Sequence, residues 1–175
     1  MNKAAGKPTQ GHVIDAIKLL TEEHRKVKKL FSEFAKLAKT DASNAAKGDV
    51  VQQICSALTI HAQVEEEIFY PAVRAAIKDK DLMDEADVEH AEAKSLIAQL
   101  KGMKPTDDHY NAKVTVLGEN IAHHVSEEEG EMFPKAMKTK LDIEALGEAL
   151  ANRMQELQAK MDEASEVKAK KTASR

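Results

Sequence analysis

One motif occurs twice in this chain. HAQVEEEIFYP at 61–71 and HVSEEEGEMFP at 124–134 place a histidine, a glutamate and a proline at the same offsets. Upstream of each copy is a stretch with one further histidine, EEHRKVKKLF around His24 and VEHAEAKSLI around His90. His24 and His90 are 66 residues apart; His61 and His124, like Glu65 and Glu128, are 63 apart. The chain therefore reads as two helix pairs, each with a lone His and one His-x-x-x-Glu. Solenoids need three or more copies to bury their faces, so two copies closing on each other predict a four-helix bundle.

The rest of the sequence agrees with helix. Its 175 residues suffice for one well-packed domain. Gly and Pro number 7 and 4, aromatics make up 3% and Trp is absent, which disfavours sheet. Hydrophobic residues at 42% exclude a disordered chain. The net charge of −4 gives no global pull toward nucleic acid or anionic membrane, and neither partner is expected. A single cysteine, Cys55, cannot form an internal disulfide. No leader-like or membrane-spanning apolar run is seen, so the cytoplasm is the expected location.

Apolar residues recur three and four apart in five stretches. The first runs from about Val13 to Ala38, and the second carries Val51, Ile54, Leu58, His61, Glu65, Ile68 and Ala72. The third carries Met83, Ala86, His90, Ala93, Ile97 and Leu100. The fourth carries Val114, Leu117, Ile121, His124 and Glu128. The fifth is expected over Asp142 to about Met161. Pro71 and Pro134 should kink or loosen the second and fourth helices. Asp107 or Asp108 is available to cap the fourth. The reading is an all-α, antiparallel up-down four-helix bundle with an additional C-terminal helix. Residues 1–12 are expected to be a flexible arm, 13–165 the domain and 166–175 a flexible basic tail.

Residues four apart share a helical face, so His61 and Glu65 point the same way, as do His124 and Glu128. His24 and His90 lie on their own apolar stripes. In an up-down bundle two residues are level when the turn between them lies midway. The midpoint of His24 and His61 falls in the break at 40–48, that of His90 and His124 at 107, and that of Glu65 and His90 at the break beginning at Lys78. Six polar groups are thus expected in one layer of the core, where each unpaired group would cost several kcal/mol. Four imidazoles and two carboxylates are too many for one tetrahedral zinc. They suit two ions of higher coordination number, bridged by the carboxylates and an oxo or hydroxo oxygen. The expected metal ligands are His24, His61, Glu65, His90, His124 and Glu128.

The order His, His-x-x-x-Glu, His, His-x-x-x-Glu, with Phe/Tyr-Pro after each pair, resembles the hemerythrin-like HHE cation-binding family over about residues 13–165. The resemblance implies a non-haem di-iron centre inside the bundle. A ferritin-like centre would need Glu-x-x-His on two helices, whereas here His precedes Glu. Two departures separate this chain from the oxygen carriers of the family. Where they have a second histidine four residues past that of the third helix, this chain has Lys94. Where they have an aspartate five residues past the fourth-helix histidine, it has Glu129. The resemblance is therefore to the bacterial hemerythrin-like and iron-repair branch. It implies an open iron position near His90 for O₂, NO or peroxide, in a monomer or weak dimer. Sensing, stress response or iron homeostasis is the implied role; a redox enzyme acting on NO or peroxide, or an iron donor to damaged iron–sulfur centres, is the alternative.

Other residues have plainer expectations. His123 and Glu127 share the motif spacing but lie off the stripe, as a solvated rim pair. Glu131, seven residues past His124, is either an additional ligand, a proton donor or a rim glutamate. Lys94 is expected with its stem buried and its ammonium outward, and it too is a proton-donor candidate. His12 and His109 are expected at the surface, and Cys55 as a small buried hydrophobe. The rest of the acidic runs 65–67 and 127–129 is expected to be solvated helix surface.

Overall fold

The computed structural model describes residues 14–40 and 42–173, all helix or connecting turn among the described residues. The expected N-terminal arm, His12, and the last two residues lie outside them. Helix α1 (Ala16–Ala38) starts at Asp15, whose carboxylate accepts the Lys18 N–H at 3.0 Å. Helix α2 (Asn44–Val64) starts at Ser43, whose hydroxyl accepts the Ala46 N–H at 3.2 Å. It runs through a π-helical turn (Glu65–Phe69) into α3 (Tyr70–Ala76). Helix α4 (Lys80–Lys101) is capped by Asp79. Helix α5 (Tyr110–Glu127) runs through a second π-helical turn (Glu128–Met132) into α6 (Phe133–Met137). Helix α7 (Ile143–Ala173) follows.

The capping expected of Asp107 or Asp108 is not used by α5. That helix begins after His109, which sits at a left-handed φ of 67°, while the Asp107 carboxylate accepts the Lys104 N–H at 2.8 Å within the preceding turn. The fifth helix continues to Ala173, past the expected end near Met161. No Gly or Pro follows Gly147 to stop it, and Glu166 and Lys170 pair one turn apart within it.

Helix α1 packs on α2 and α5, and α4 packs on α2 and α5, which closes a ring of four antiparallel rods. Helix α7 lies across α1 and α2. Among the described residues no helix is long and apolar enough to cross a membrane. The apolar interior falls into two clusters. One contains Leu20, Val64, Phe69, Met83, Met132, Phe133 and Leu150; the other contains Val27, Phe34, Ile54, Leu58, Ile97 and Leu117. Cys55 is buried in the second. The gap between the clusters is filled by the polar layer.

The start of α1 approaches α7 closely at Gly147. A Cβ there would lie 2.0 Å from the Ile14 carbonyl oxygen and 2.8 Å from the Ala16 nitrogen. Backbone cannot yield as a side-chain tip can. Gly147→Ala should destabilise the fold by about 3 kcal/mol through forced separation of α1 and α7, read as a lower urea midpoint. An unchanged midpoint would show that the two helices do not hold this approach in solution.

Candidate metal centre

Six elements each place one polar side chain in the layer. His24 comes from α1, His61 from α2, Glu65 from the first π-turn, His90 from α4, His124 from α5 and Glu128 from the second π-turn; all six are buried. Their inner atoms form two overlapping groups, His24 with His61, Glu65 and Glu128, and Glu65 with His90 and His124. The Nε2 atoms of His24 and His61 are 3.1 Å apart, as are those of His90 and His124. Glu65 faces both groups, with Oε1 3.2 Å from His61 Nε2 and Oε2 3.5 Å from His90 Nε2. Glu128 Oε2 is 3.2 Å from His24 Nε2 and 3.5 Å from His124 Nε2. The six residues picked out by the repeat are all brought together.

The donor set fits metal cations. Adjacent ligand atoms bound at 2.0–2.2 Å to one ion sit about 2.9–3.5 Å apart, which is the spacing found here. Both oxygens of Glu65 and Oε2 of Glu128 are buried without a hydrogen-bond partner, an arrangement costly unless a cation satisfies them.

The outer edges of three imidazoles are held by carboxylates, two of them, Glu66 and Glu129, expected at solvated helix surface, and a third, Glu89, not singled out by the sequence. His24 Nδ1 is 2.9 Å from Glu129 Oε1, His90 Nδ1 is 2.9 Å from Glu66 Oε1, and His124 Nδ1 is 2.7 Å from Glu89 Oε2. A carboxylate on Nδ1 fixes the proton there and turns the Nε2 lone pair inward. Glu66 and Glu129 each directly follow a residue of the layer, so they stand on the neighbouring face of their own rod, toward the next helix. The signal that could have found them is this adjacency, one residue past each repeated Glu or, for Glu129, five past His124.

Tyr70 is the other residue missed. Its hydroxyl lies 3.1 Å from His90 Nε2 and 3.3 Å from His124 Nε2, and donates to Glu128 Oε1 at 2.9 Å. The π-turn puts it there. The Tyr70 N–H bonds back to the Glu65 carbonyl, five residues away, so the chain slips by one position. Tyr70 rather than Phe69 comes round above Glu65, and Phe69, Tyr70 and Val73 are buried where Ile68 and Ala72 were expected. The second π-turn makes the same slip, with the Phe133 N–H on the Glu128 carbonyl. It carries Glu131 outward, where the side chain is 60% exposed and pairs with Lys135 at 2.9 Å. Glu131 is a rim glutamate. Phe133 is the repeat's counterpart of Tyr70 and stacks on His24 without a hydroxyl.

Lys94 behaves as its long stem suggested. Its ammonium reaches outward to Glu66, at 2.7 and 2.8 Å from the two oxygens, and is 52% exposed. A path of hydrogen bonds thus runs from solvent through Lys94 and Glu66 to His90. His123 and Glu127 form an outer pair on α5, as expected. His109 is exposed.

Charge is balanced inside the layer. Burial works against ionisation of Glu65, but His61 and His90 hold its carboxyl well below the usual range. Burial also opposes charge on His24 and His90; Glu128 outweighs it for the first and Glu65 for the second, pushing both up to about 9. For His124, burial is outweighed by Glu89 and Glu128, and its pKa is raised. Burial, with Glu65 and Glu128 nearby, raises the Tyr70 phenol well above its ordinary value.

On the side of the layer away from Tyr70 is a cavity of about 20 Å³. The edges of all four imidazoles, Val27, Leu58, Ala93, Lys94, Ile97 and Ile121 line it.

A four-helix bundle whose core holds four histidines and two glutamates in one layer is a metal-binding bundle. The pattern of the hemerythrin HHE cation binding domain matches residues 15–136, and the chain belongs to that family. The match ends before α7. The fold is similar to the crystal structure of a hemerythrin HHE cation binding domain-containing protein from Mycobacterium kansasii, with a TM-score of 0.69 and 23% identity, covering 84% of this chain and 89% of that one. The sequence is also 32% identical over 111 residues to a DNA nickase from Nostoc sp.. That match covers 63% of this chain but only 30% of the nickase, a much longer protein.

Proposed function

We propose that the chain is a non-haem di-iron protein that takes up O₂, NO or peroxide beside the four imidazoles. The observation that carries this reading is the small, largely apolar cavity against their edges. A cavity needs roughly 10–15 Å³ to admit a water-sized molecule, so a volume of about 20 Å³ suits a small gas or peroxide and excludes larger organic substrates. Iron held here would supply a redox couple and a coordination position for such a molecule.

The side chains supply the rest. Glu65 and Glu128 each face both histidine groups and are the residues that would join two ions. Glu66, Glu89 and Glu129 orient the rings that would hold them. Val27, Leu58, Ala93, Ile97 and Ile121 keep bulk water off the cavity. Lys94 and Glu66 link His90 to solvent and can carry a proton to the layer. Lys94, which stands where the oxygen carriers have a further histidine, lines this cavity, while the Tyr70 hydroxyl closes the opposite side of the layer.

Tyr70→Phe tests that closure. It removes the one donor on Glu128 Oε1 and leaves a buried oxygen unsatisfied, which should lower stability by about 1–3 kcal/mol. It should also change the visible spectrum of the iron-loaded protein. An unaltered spectrum and urea midpoint would remove Tyr70 from the centre.

The defining experiment is anaerobic loading with iron(II), metal analysis, and visible spectra on adding O₂, NO or peroxide. Two irons per chain and a stable adduct support binding or sensing. Catalytic consumption of NO or peroxide supports the enzyme reading, which the Lys94–Glu66–His90 path favours. Absence of iron binding rejects both.

A further inference from the structure

Glu89 faces two ways. Its Oε2 holds His124 Nδ1 at 2.7 Å inside the bundle. Its Oε1 lies 3.5 Å from Nε2 of His123, which stands with Glu127 on the outer side of α5. His123 Nε2 is 3.4 Å from Glu127 Oε1, one helical turn on. These three side chains offer one donor atom each, all within 4.8 Å of one another.

The two contacts to His123 are too long for N–H···O hydrogen bonds, which lie at 2.7–3.2 Å. They match instead the edge of a tetrahedron whose corners sit 2.0–2.2 Å from one ion, an edge of about 3.3–3.6 Å. The group is more than a set of surface acids. Glu89 is only 16% exposed and is held in place by a buried imidazole, whereas His123 is 65% exposed and open to solvent. Among the described residues neither Glu89 nor Glu127 forms an ion pair with a lysine or arginine; their partners are His123 and, for Glu89, His124.

We propose that Glu89, His123 and Glu127 form an outer site for one divalent cation of the zinc type, with solvent at the fourth corner, coupled to the inner layer through Glu89. One imidazole and two carboxylates are a donor set that zinc accepts. A cation on Oε1 draws on the carboxylate whose other oxygen orients His124. The outer site therefore communicates with the centre through a single side chain. Zinc binding at the outer face does not depend on which metal the centre holds; its coupling is read through the iron centre proposed above.

The test uses the full chain carrying its resident metal. It is dialysed against zinc chloride from micromolar to millimolar concentration, and every metal is counted. One zinc per chain is expected, with the resident metal unchanged and a small shift in the spectrum of the centre. His123→Ala and Glu127→Gln, both at the outer face, should each weaken zinc binding by more than about 10-fold, abolish the spectral shift and leave the resident metal in place. The proposal is overturned by a zinc that binds equally well in His123→Ala, by one that enters only as resident metal leaves, by failure to bind zinc at millimolar concentration, or by zinc binding that leaves the spectrum of the centre unshifted.

Discussion

Glu65→Gln should strip the centre of nearly all its metal. Glutamine keeps the shape of the side chain and removes its charge. Glu65 is fully buried, and its two oxygens serve different histidine groups, at 3.2 Å from His61 and 3.5 Å from His90. No other carboxylate of the layer offers a separate oxygen to each group. Replacing it leaves buried cations without a counter-charge, a loss worth about 3–5 kcal/mol when one partner of a buried pair is removed. Metal analysis after loading is the readout. Glu128→Gln should behave alike, because its Oε2 stands between His24 and His124. Glu127→Ala should keep the full inner complement, since Glu127 faces outward to His123. Equal losses in Glu127→Ala and Glu65→Gln would show that the buried carboxylates do not hold the metal.

Ala93→Leu should leave the metal in place and shut off its chemistry. Ala93 is buried on α4 one turn past His90 and lines the cavity against the imidazole edges. Leucine adds three carbons to a space of about 20 Å³. The added bulk costs about 1–3 kcal/mol of stability, which a bundle with two apolar clusters should survive. The reaction of the reduced protein with O₂, NO or peroxide should slow by about 100-fold, some 2.7 kcal/mol on the barrier. Iron content should match that of the unaltered chain. Undiminished reactivity would mean that small ligands reach the layer by another route and that this cavity is not their site.

The layer itself was legible because two periodicities coincide in it. His61 and Glu65, four apart, share a face, and the turn positions level them with His24, His90 and His124. Neither statement needs tertiary detail. Tyr70 was not legible, because the 3.6-residue period that locates the histidines fails one turn later. Pro71 lacks an N–H and would crowd the carbonyl four residues back, and the chain answers by winding wider rather than by kinking. That choice between a kink and a π-turn depends on the neighbours that pack against it. The same widening removed Glu131 from the face that counting by sevens had given it. Glu66, Glu89 and Glu129 were hidden for another reason. A glutamate on a charged helix is ordinary surface until the opposing helix is in place, and the Nδ1 contacts are made between rods: Glu66 to His90, Glu89 to His124, Glu129 to His24. Helix α7 outran its expected end because the sequence after Gly147 holds no Gly or Pro to stop it.

The division of the interior into two apolar clusters has a kinetic consequence. Backbone amides exchange with solvent hydrogen through local openings whose cost follows the packing around them. Here the tightly packed bands lie at the two ends, around Leu20, Phe69 and Leu150 on one side and Val51, Ile54 and Leu117 on the other. The middle is held by imidazoles and carboxylates that a cation must draw together. Without that cation, deuterium should enter first at the amides of the layer itself, around His61, Glu65, His124 and Glu128, while both ends stay protected. The bundle would then act as a pair of clamps with a compliant waist, which an entering ion should be able to loosen without melting either clamp.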